Sequence, residues 1–173
     1  MLRRGSIQAR VSVVVAGALL LALAATPADA VAVRPALGQR ATITKVADGD
    51  TVNVRLRSGR QARVRLIGID TPEVYSGIEC GGPQASRSLE RLLPSGTPVR
   101  LVSDPTQDSV DRYGRLLRYV IKEAKNADVN RIQVRRGWAA VYVYNHNPFK
   151  RVTSYGAAQA EARAHNRGIW GLC

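Results

Sequence analysis

Asp48-Gly49-Asp50-Thr51, Arg65-Leu66-Ile67-Gly68-Ile69-Asp70-Thr71-Pro72-Glu73 and Asp111-Arg112-Tyr113-Gly114-Arg115 are the runs of this chain that can do chemistry. Paired carboxylates such as Asp50 and Asp70 suit an oxygen-loving cation with bonds of about 2.0–2.6 Å. Arg65 and Arg115 each present a planar fork that matches phosphate oxygens, and two forks can brace a phosphorane-like transition state. Glu73 follows Thr71-Pro72, a stiff turn that holds it at a set distance from the aspartates, and a carboxylate there can orient or deprotonate a water. Cation, phosphate clamp and water activator together make the equipment for hydrolysing a phosphodiester. Each part alone has a plainer reading. D-G-D is common turn chemistry, and single arginines in so basic a chain can simply be solvated.

The elements that must position these groups are legible from alternation. Arg40 to Val46 reads as a first strand. Thr51 to Arg57 is apolar at even positions, and Gln61 to Leu66 alternates the same way, so both are half-buried strands. Ser58-Gly59-Arg60 between them reads as a three-residue hairpin loop, pairing Leu56 with Ala62, Val54 with Val64 and Val52 with Leu66. In that register Asp50 lies opposite Gly68, and Asp70 shares its parity two residues on. Both carboxylates then face inward at the barrel mouth, about 7–8 Å apart as diagonal neighbours. Arg65 has the opposite parity to Leu66 and need not serve the core.

Gly82-Pro83 opens a helix to about Leu93, with proline in the first turn. Pro98 to Ser103 is a strand, Asp104 to Gly114 a polar loop, and Arg115 to Lys122 a returning strand. Ala127 to Arg136 is a helix stopped by Gly137. Ala139 to Tyr144 is extended, with Tyr142 and Tyr144 on one face, where such a pair can stack on bases or serve ordinary strand packing. Asn147-Pro148 caps a last helix running to about His165. Short strands interleaved with helices suit a five-stranded OB-type Greek-key barrel with about three helices.

Composition bounds the rest. The chain has 173 residues and a formal net charge of +13. Residues 1–30 read as an export signal: Arg3, Arg4 and Arg10 precede the apolar stretch Val11 to Ala25, and Ala28-Asp29-Ala30 is a small-x-small cleavage site. The apolar stretch is shorter than the ~18 residues of a spanning helix. An uncleaved anchor is the alternative, and Arg3-Arg4 is only a weak hint of twin-arginine export. Residues 31–39 form a lead-in, and 40–173 the domain. Beyond residue 30, 23 cations face 12 acids, a net charge of +11. That excess attracts polyanions, whether nucleic acid or anionic wall or membrane surfaces, though solubility alone is a plainer use of it. Cys80 and Cys173, the two cysteines, are expected to pair in an oxidising compartment. With no histidine near them in sequence they make a poor zinc site.

The three motifs in this order and spacing resemble the staphylococcal nuclease (thermonuclease) family, from Arg40 to about Gly171. The resemblance implies the five-stranded OB barrel with three helices. It implies Ca2+ held by Asp50, Asp70 and the main-chain carbonyl of Thr71. Glu73 would orient or activate the attacking water, and Arg65 and Arg115 would hold the scissile phosphate. Arg112 and Tyr113 would contact a neighbouring phosphate, and Tyr142 and Tyr144 the nucleotide. The implied activity is calcium-dependent cleavage of DNA and RNA to 3′-phosphate ends by a secreted enzyme. A monomer with no stable protein partner is expected, touching membrane only through its cleaved signal. The chain departs from the family's archetype in the loop Val74 to Gly82, which is shorter and less lysine-rich, in Arg112 where the archetype has lysine, and in its cysteine pair. The first rival reading is a non-catalytic OB-fold module that binds single-stranded nucleic acid. The second is a basic protein that adheres to walls or membranes, which needs neither the carboxylate cluster nor the tyrosine pair.

Overall fold

Strict alternation builds the barrel. The structure is a computed structural model that describes residues 38–75 and 77–173; the expected signal segment and most of the lead-in lie outside them. Strand β1 (Gln39–Val46) pairs antiparallel with β2 (Thr51–Leu56), and β2 with β3 (Gln61–Leu66). An irregularity between Ile43 and Lys45 bends β1, as bulges do, and the first half of β1 also pairs with β5 (Pro98–Val102). Strand β6 (Leu116–Lys122) runs antiparallel to β5 and returns parallel to β3, with Val64 opposite Leu116. That last pairing closes five strands into a barrel. Its interior is filled by Ile43, Val52, Val54, Val64, Leu66, Leu101 and Val120, all essentially inaccessible to solvent.

The remaining elements cover the barrel. Between β3 and the first helix lies the two-residue strand β4 (Ile69–Asp70). Helix α1 (Gly82–Leu92) starts with proline in its first turn and buries Ala85 and Leu89. A two-residue strand, β7 (Ala127–Asp128), leads into α2 (Val129–Arg135), where the Asp128 carboxylate accepts the Arg131 amide and caps the helix. Strand β8 (Ala140–Val141) pairs with β4. Helix α3 (Val152–Ala164) buries Tyr155, Ala158 and Ala162. One further turn, α4 (Ile169–Leu172), ends the chain. The OB-type barrel with three principal helices expected from the sequence is therefore present.

Four local expectations are corrected. The hairpin register is Val52 with Val64 and Val54 with Ala62, so the loop is Arg57-Ser58-Gly59, closed by the Leu56 amide on the Arg60 carbonyl at 2.9 Å. A three-residue loop needs a left-handed residue at its third position. Gly59, at φ +85°, takes that place. The slip is by two residues, so the faces keep their parity, but Asp50 now lies opposite Leu66, whose amide donates to its carbonyl at 2.9 Å. Gly68 serves otherwise: at φ +75° it turns the chain, and a Cβ there would collide with the Phe149 ring. The turn leaves Asp70 exposed rather than inward-facing. Helix α3 starts at Val152, not Asn147-Pro148, because Phe149 is first buried under Gly68. The extended segment predicted over Ala139 to Tyr144 is a strand only at Ala140–Val141, and Tyr144 opens a 3-10 turn.

Cys80 and Cys173 form a disulfide, with Cα atoms 6.0 Å apart and a sequence separation of 93. Ile169 packs against Gly81, and its amide donates to the Gly137 carbonyl at 2.8 Å, so α4 is also held by contacts other than the bridge. Mass spectrometry of the unreduced chain should find the two cysteines linked within one molecule. Reduction should lower the stability by less than the roughly 4–5 kcal/mol that loop entropy allows for so long a loop. Two free thiols, or a linked dimer, would refute the pairing.

Candidate active site

The D-G-D turn delivers Asp50 to the barrel mouth, where it is only 6 % exposed. Its amide donates to Asp48 Oδ1 at 3.0 Å, which shapes the turn. Its Oδ1 accepts the Thr51 hydroxyl at 3.1 Å, and its Oδ2 accepts both the amide and the hydroxyl of Thr71, at 3.1 and 3.0 Å. Thr71 is itself buried. The turn is braced from behind by Gln133, fully buried on α2, whose Nε2 donates to the carbonyls of Gly49 and Ala85 at 3.0 and 3.1 Å. Burial pushes the Asp50 carboxyl up to about 7, against the pull of Arg65; Asp48 and Asp70 push the same way as burial.

Arg65 joins the two aspartates. Its Nη2 lies 3.1 Å from Asp50 Oδ2 and 2.7 Å from Asp70 Oδ1, while its Nη1 donates to the Ile69 carbonyl at 2.7 Å. The guanidinium thus holds the chain in the turn that carries Asp70. Because one nitrogen touches both carboxylate oxygens, they lie no farther apart than those two distances combined. Two carboxylates, one buried and one exposed, beside the Thr71 peptide suit a hard cation, and no sulfur or imidazole stands among them. Among the described residues no group of three or more acidic, histidine or cysteine side chains gathers, so carbonyls and water would complete the coordination.

Glu73 stands on the exposed turn just beyond Thr71-Pro72. Its main chain is clamped: its amide donates to Glu79 Oε2 at 2.9 Å, and the Glu79 amide donates to its carbonyl at 3.0 Å. Tyr75, from the same loop, reaches back to the Ala47 carbonyl at 2.6 Å and straps the loop to the D-G-D turn.

The second wall comes from the loop before β6. Asp111 organises it, its Oδ1 accepting the amides of Tyr113 and Arg115 at 2.9 Å each and its Oδ2 the Arg115 Nε at 2.6 Å. Burial alone would raise this carboxyl, but the hydrogen bonds from Arg115 and Tyr113 hold it below the ordinary aspartate range. The Tyr113 ring has the Arg112 guanidinium at 4.8 Å and that of Arg115 at 5.3 Å. Between the walls lies an open cleft of about 600 Å³. Arg65, Asp70, Arg112, Tyr113, Arg115, Tyr142 and Tyr144 line it together. Asp50 and Thr71 sit beneath its rim, bound to Arg65 or to each other, while Glu73 is not part of the lining. Tyr142 and Tyr144 are half-exposed, from a strand end and a turn rather than one strand face.

Sequence reasoning missed the supports. Gln133 and the fully buried Asn130, which binds the Ile67 carbonyl and the Val120 amide at 3.0 Å each, have no signature beyond a polar residue on a helix face. Asp111 did carry a signal, lying four residues before an arginine in a glycine-containing turn.

The family model described as Staphylococcal nuclease homologue matches residues 63–171. The chain belongs to the staphylococcal nuclease family. Endonuclease YncB of Bacillus subtilis (strain 168) is 34% identical over 133 residues, covering 75% of this chain and 60% of that protein. The SPbeta prophage-derived endonuclease YokF of the same organism is 35% identical over 133 residues, 75% of this chain and 43% of its own length. Thermonuclease of Staphylococcus hyicus is 34% identical over 133 residues, 74% of this chain and 73% of the enzyme. The chain thus spans less than two thirds of either Bacillus relative.

Asp50 gives a test with a definite sign. Its folded value lies above the unfolded value of 3.8, so the folded state keeps a proton that the unfolded state releases. Stability from this group is therefore lost as pH rises from about 4 to about 7. In metal-free protein, Asp50→Asn should become increasingly more stable than wild type across that window, by roughly 1–3 kcal/mol at pH 7. A difference that does not change with pH would show that Asp50 is not the strained group.

Proposed function

We propose that this chain is a secreted, calcium-dependent nuclease that hydrolyses phosphodiester bonds of DNA and RNA to leave 3′-phosphate ends. The observation that carries the reading is the cleft in which Arg65, tied to the Asp50–Asp70 pair, faces Arg115, held by Asp111. Membership of the family and the names of the endonuclease and thermonuclease relatives support it. Export rests on the composition of residues 1–30 and is supported by the disulfide, which suits an oxidising compartment.

In this reading the residues divide the work. Asp50, Asp70 and the Thr71 carbonyl would hold the calcium ion, whose charge offsets the negative charge building on the phosphate oxygens. Arg65 and Arg115 grip those oxygens from the two walls, Arg115 pre-set by its bidentate partner Asp111. The Glu73 carboxylate orients a water and takes up its proton. The water oxygen bonds to phosphorus, the bond to the 5′ oxygen breaks, and that oxygen leaves with a proton from solvent. The phosphate stays on the 3′ side. Arg112 and Tyr113 hold a neighbouring phosphate, and Tyr142 and Tyr144 offer ring faces to a nucleoside. One chain supplies every group named, which supports action as a monomer.

A zymogram in DNA-loaded gel, with and without calcium, tests the activity. Clearing should appear with calcium and vanish in excess EGTA, and magnesium should replace it poorly because it demands stricter octahedral geometry. Binding without any clearing would instead identify a non-catalytic OB-fold module.

Arg65→Lys and Arg115→Lys should each lower turnover by about 10²–10³-fold, because lysine keeps the charge but loses the fork. Near-wild-type kcat in either variant would remove that arginine from the mechanism. Asp111→Asn should lower turnover about tenfold or more through a misplaced Arg115. Glu73→Gln should cost rate far more than stability, and a large drop in melting temperature would make Glu73 structural.

A further inference from the structure

Seven cations and only two acids occupy residues 39–66, and both acids, Asp48 and Asp50, belong to the D-G-D turn. Pairing sets the cations in rows on the outside of the barrel. Arg40 lies opposite Arg100 on β5, and the Arg57 amide donates to the Arg40 carbonyl at 3.3 Å, so Arg57 at the start of the hairpin loop, Arg40 on β1 and Arg100 on β5 lie side by side. In a second row Asn53 pairs with both Lys45 and Arg63. Arg55 projects from β2 on the same face, and Arg40, Lys45, Arg55, Arg57 and Arg63 are all exposed.

Like charges directly across a ladder destabilise it. Two ordinary reasons for such rows fail here. Cations blunt exposed sheet edges, but β1 and β2 have a partner on each side in a closed barrel. Solubility needs net charge, not charges set opposite one another. Among the described residues the compensation is thin: Glu123 reaches Arg40 at 3.4 Å, and Arg100 binds the neutral Asn126 Oδ1 at 2.7 Å.

The face also has relief and direction. A hollow of about 320 Å³ opens in it, lined by Arg40, Thr42, Arg55, Arg57, Pro98 and Glu123. Along β3 the outward residues run from Arg63 to Arg65, and Arg65 lines the cleft. Positive charge is thus continuous from the cleft, across β3 and β2, to the hollow.

We propose that the outer face of β1, β2, β3 and β5 is a second phosphate-backbone site, holding the flank of a nucleic-acid chain whose scissile bond lies in the cleft. The proposal rests on the nuclease reading for the identity of the polyanion. The face reads no bases: it offers guanidinium forks for phosphate and none of the aromatic faces found at the cleft. It acts on KM for long chains and leaves the chemistry at the cleft alone.

The test compares wild type with Arg55→Gln/Arg57→Gln/Arg63→Gln. A control triple, Arg87→Gln/Arg131→Gln/Arg135→Gln, removes the same charge from exposed helix positions. Circular dichroism melts verify that both fold. Substrates are a single DNA strand of roughly 30 nucleotides, longer than one OB site occupies, and a nitrophenyl diester of one thymidine nucleotide. The face triple should raise KM for the strand about tenfold and leave the small diester unchanged. In EGTA, fluorescence anisotropy should show weaker strand binding, with the slope of log K against log salt flattened by about 2, as expected for three lost phosphate contacts. The control triple should behave like wild type. Equal effects of the two triples, equal effects on the two substrates, or unchanged strand binding would overturn the proposal. So would lost binding to phosphatidylglycerol vesicles with strand binding intact. If no protein cleaves anything, the nuclease reading fails, and the anisotropy series still decides whether the face binds the strand.

Discussion

A carboxylate held almost out of water is the constraint around which this molecule is arranged. Asp50 occupies the barrel mouth with Arg65 in contact and with hydrogen bonds from Thr51 and Thr71. Desolvation there is severe enough to lift the group towards neutrality. In the proposed reading, a cation bound there would recover the stability that this burial costs. The tight D-G-D turn, the Gln133 brace behind it and the Thr71 peptide in front all serve to keep this one group where it is.

Closure of the barrel then decides what the carboxylate faces. Strand β6 returns parallel to β3, bringing Arg115 to the same cleft as Arg65 although the two are far apart in sequence. Each arginine is pre-set by an aspartate, Arg65 between Asp50 and Asp70 and Arg115 on Asp111. Two guanidinium planes held in advance lose little freedom on gripping an anion. The loop after Glu73 is tied down three ways, by Glu79, by Tyr75 and by the bridge from Cys80 to the end of the chain. A short, tethered loop replaces the longer lysine-rich one of the archetype.

The same β-strands have two uses. In β2 and β3 the even residues build the core and the odd residues carry the cations, and in β1 and β5 Arg40 and Arg100 alternate with the buried Ala41, Val99 and Leu101, so the alternation that makes a barrel also makes a charged outer face. Arg65 belongs to both the face and the cleft, which ties the electrostatics of the surface to the site of chemistry.

The sequence by itself determined the barrel strands, the first two helices and the chemical types at the site, because alternation, proline and glycine positions and motif spacing are local properties. It determined the parity of the hairpin but not its register, since a slip of two residues keeps every side chain on its face and only the left-handed demand on Gly59 separates the two alignments. It did not determine that Asp70 is exposed, because Gly68 turns the chain under Phe149, a residue remote in sequence. Nor did it determine the start of α3, where burial of Phe149 outweighs the capping signal at Asn147-Pro148. The supports Gln133, Asn130 and Glu79 acquire meaning only once folding sets them against particular carbonyls and amides. Local patterns encode which groups are present and on which face. Distances between groups far apart in sequence come from closure of the barrel and the packing of helices on it, and only the tertiary structure decided those.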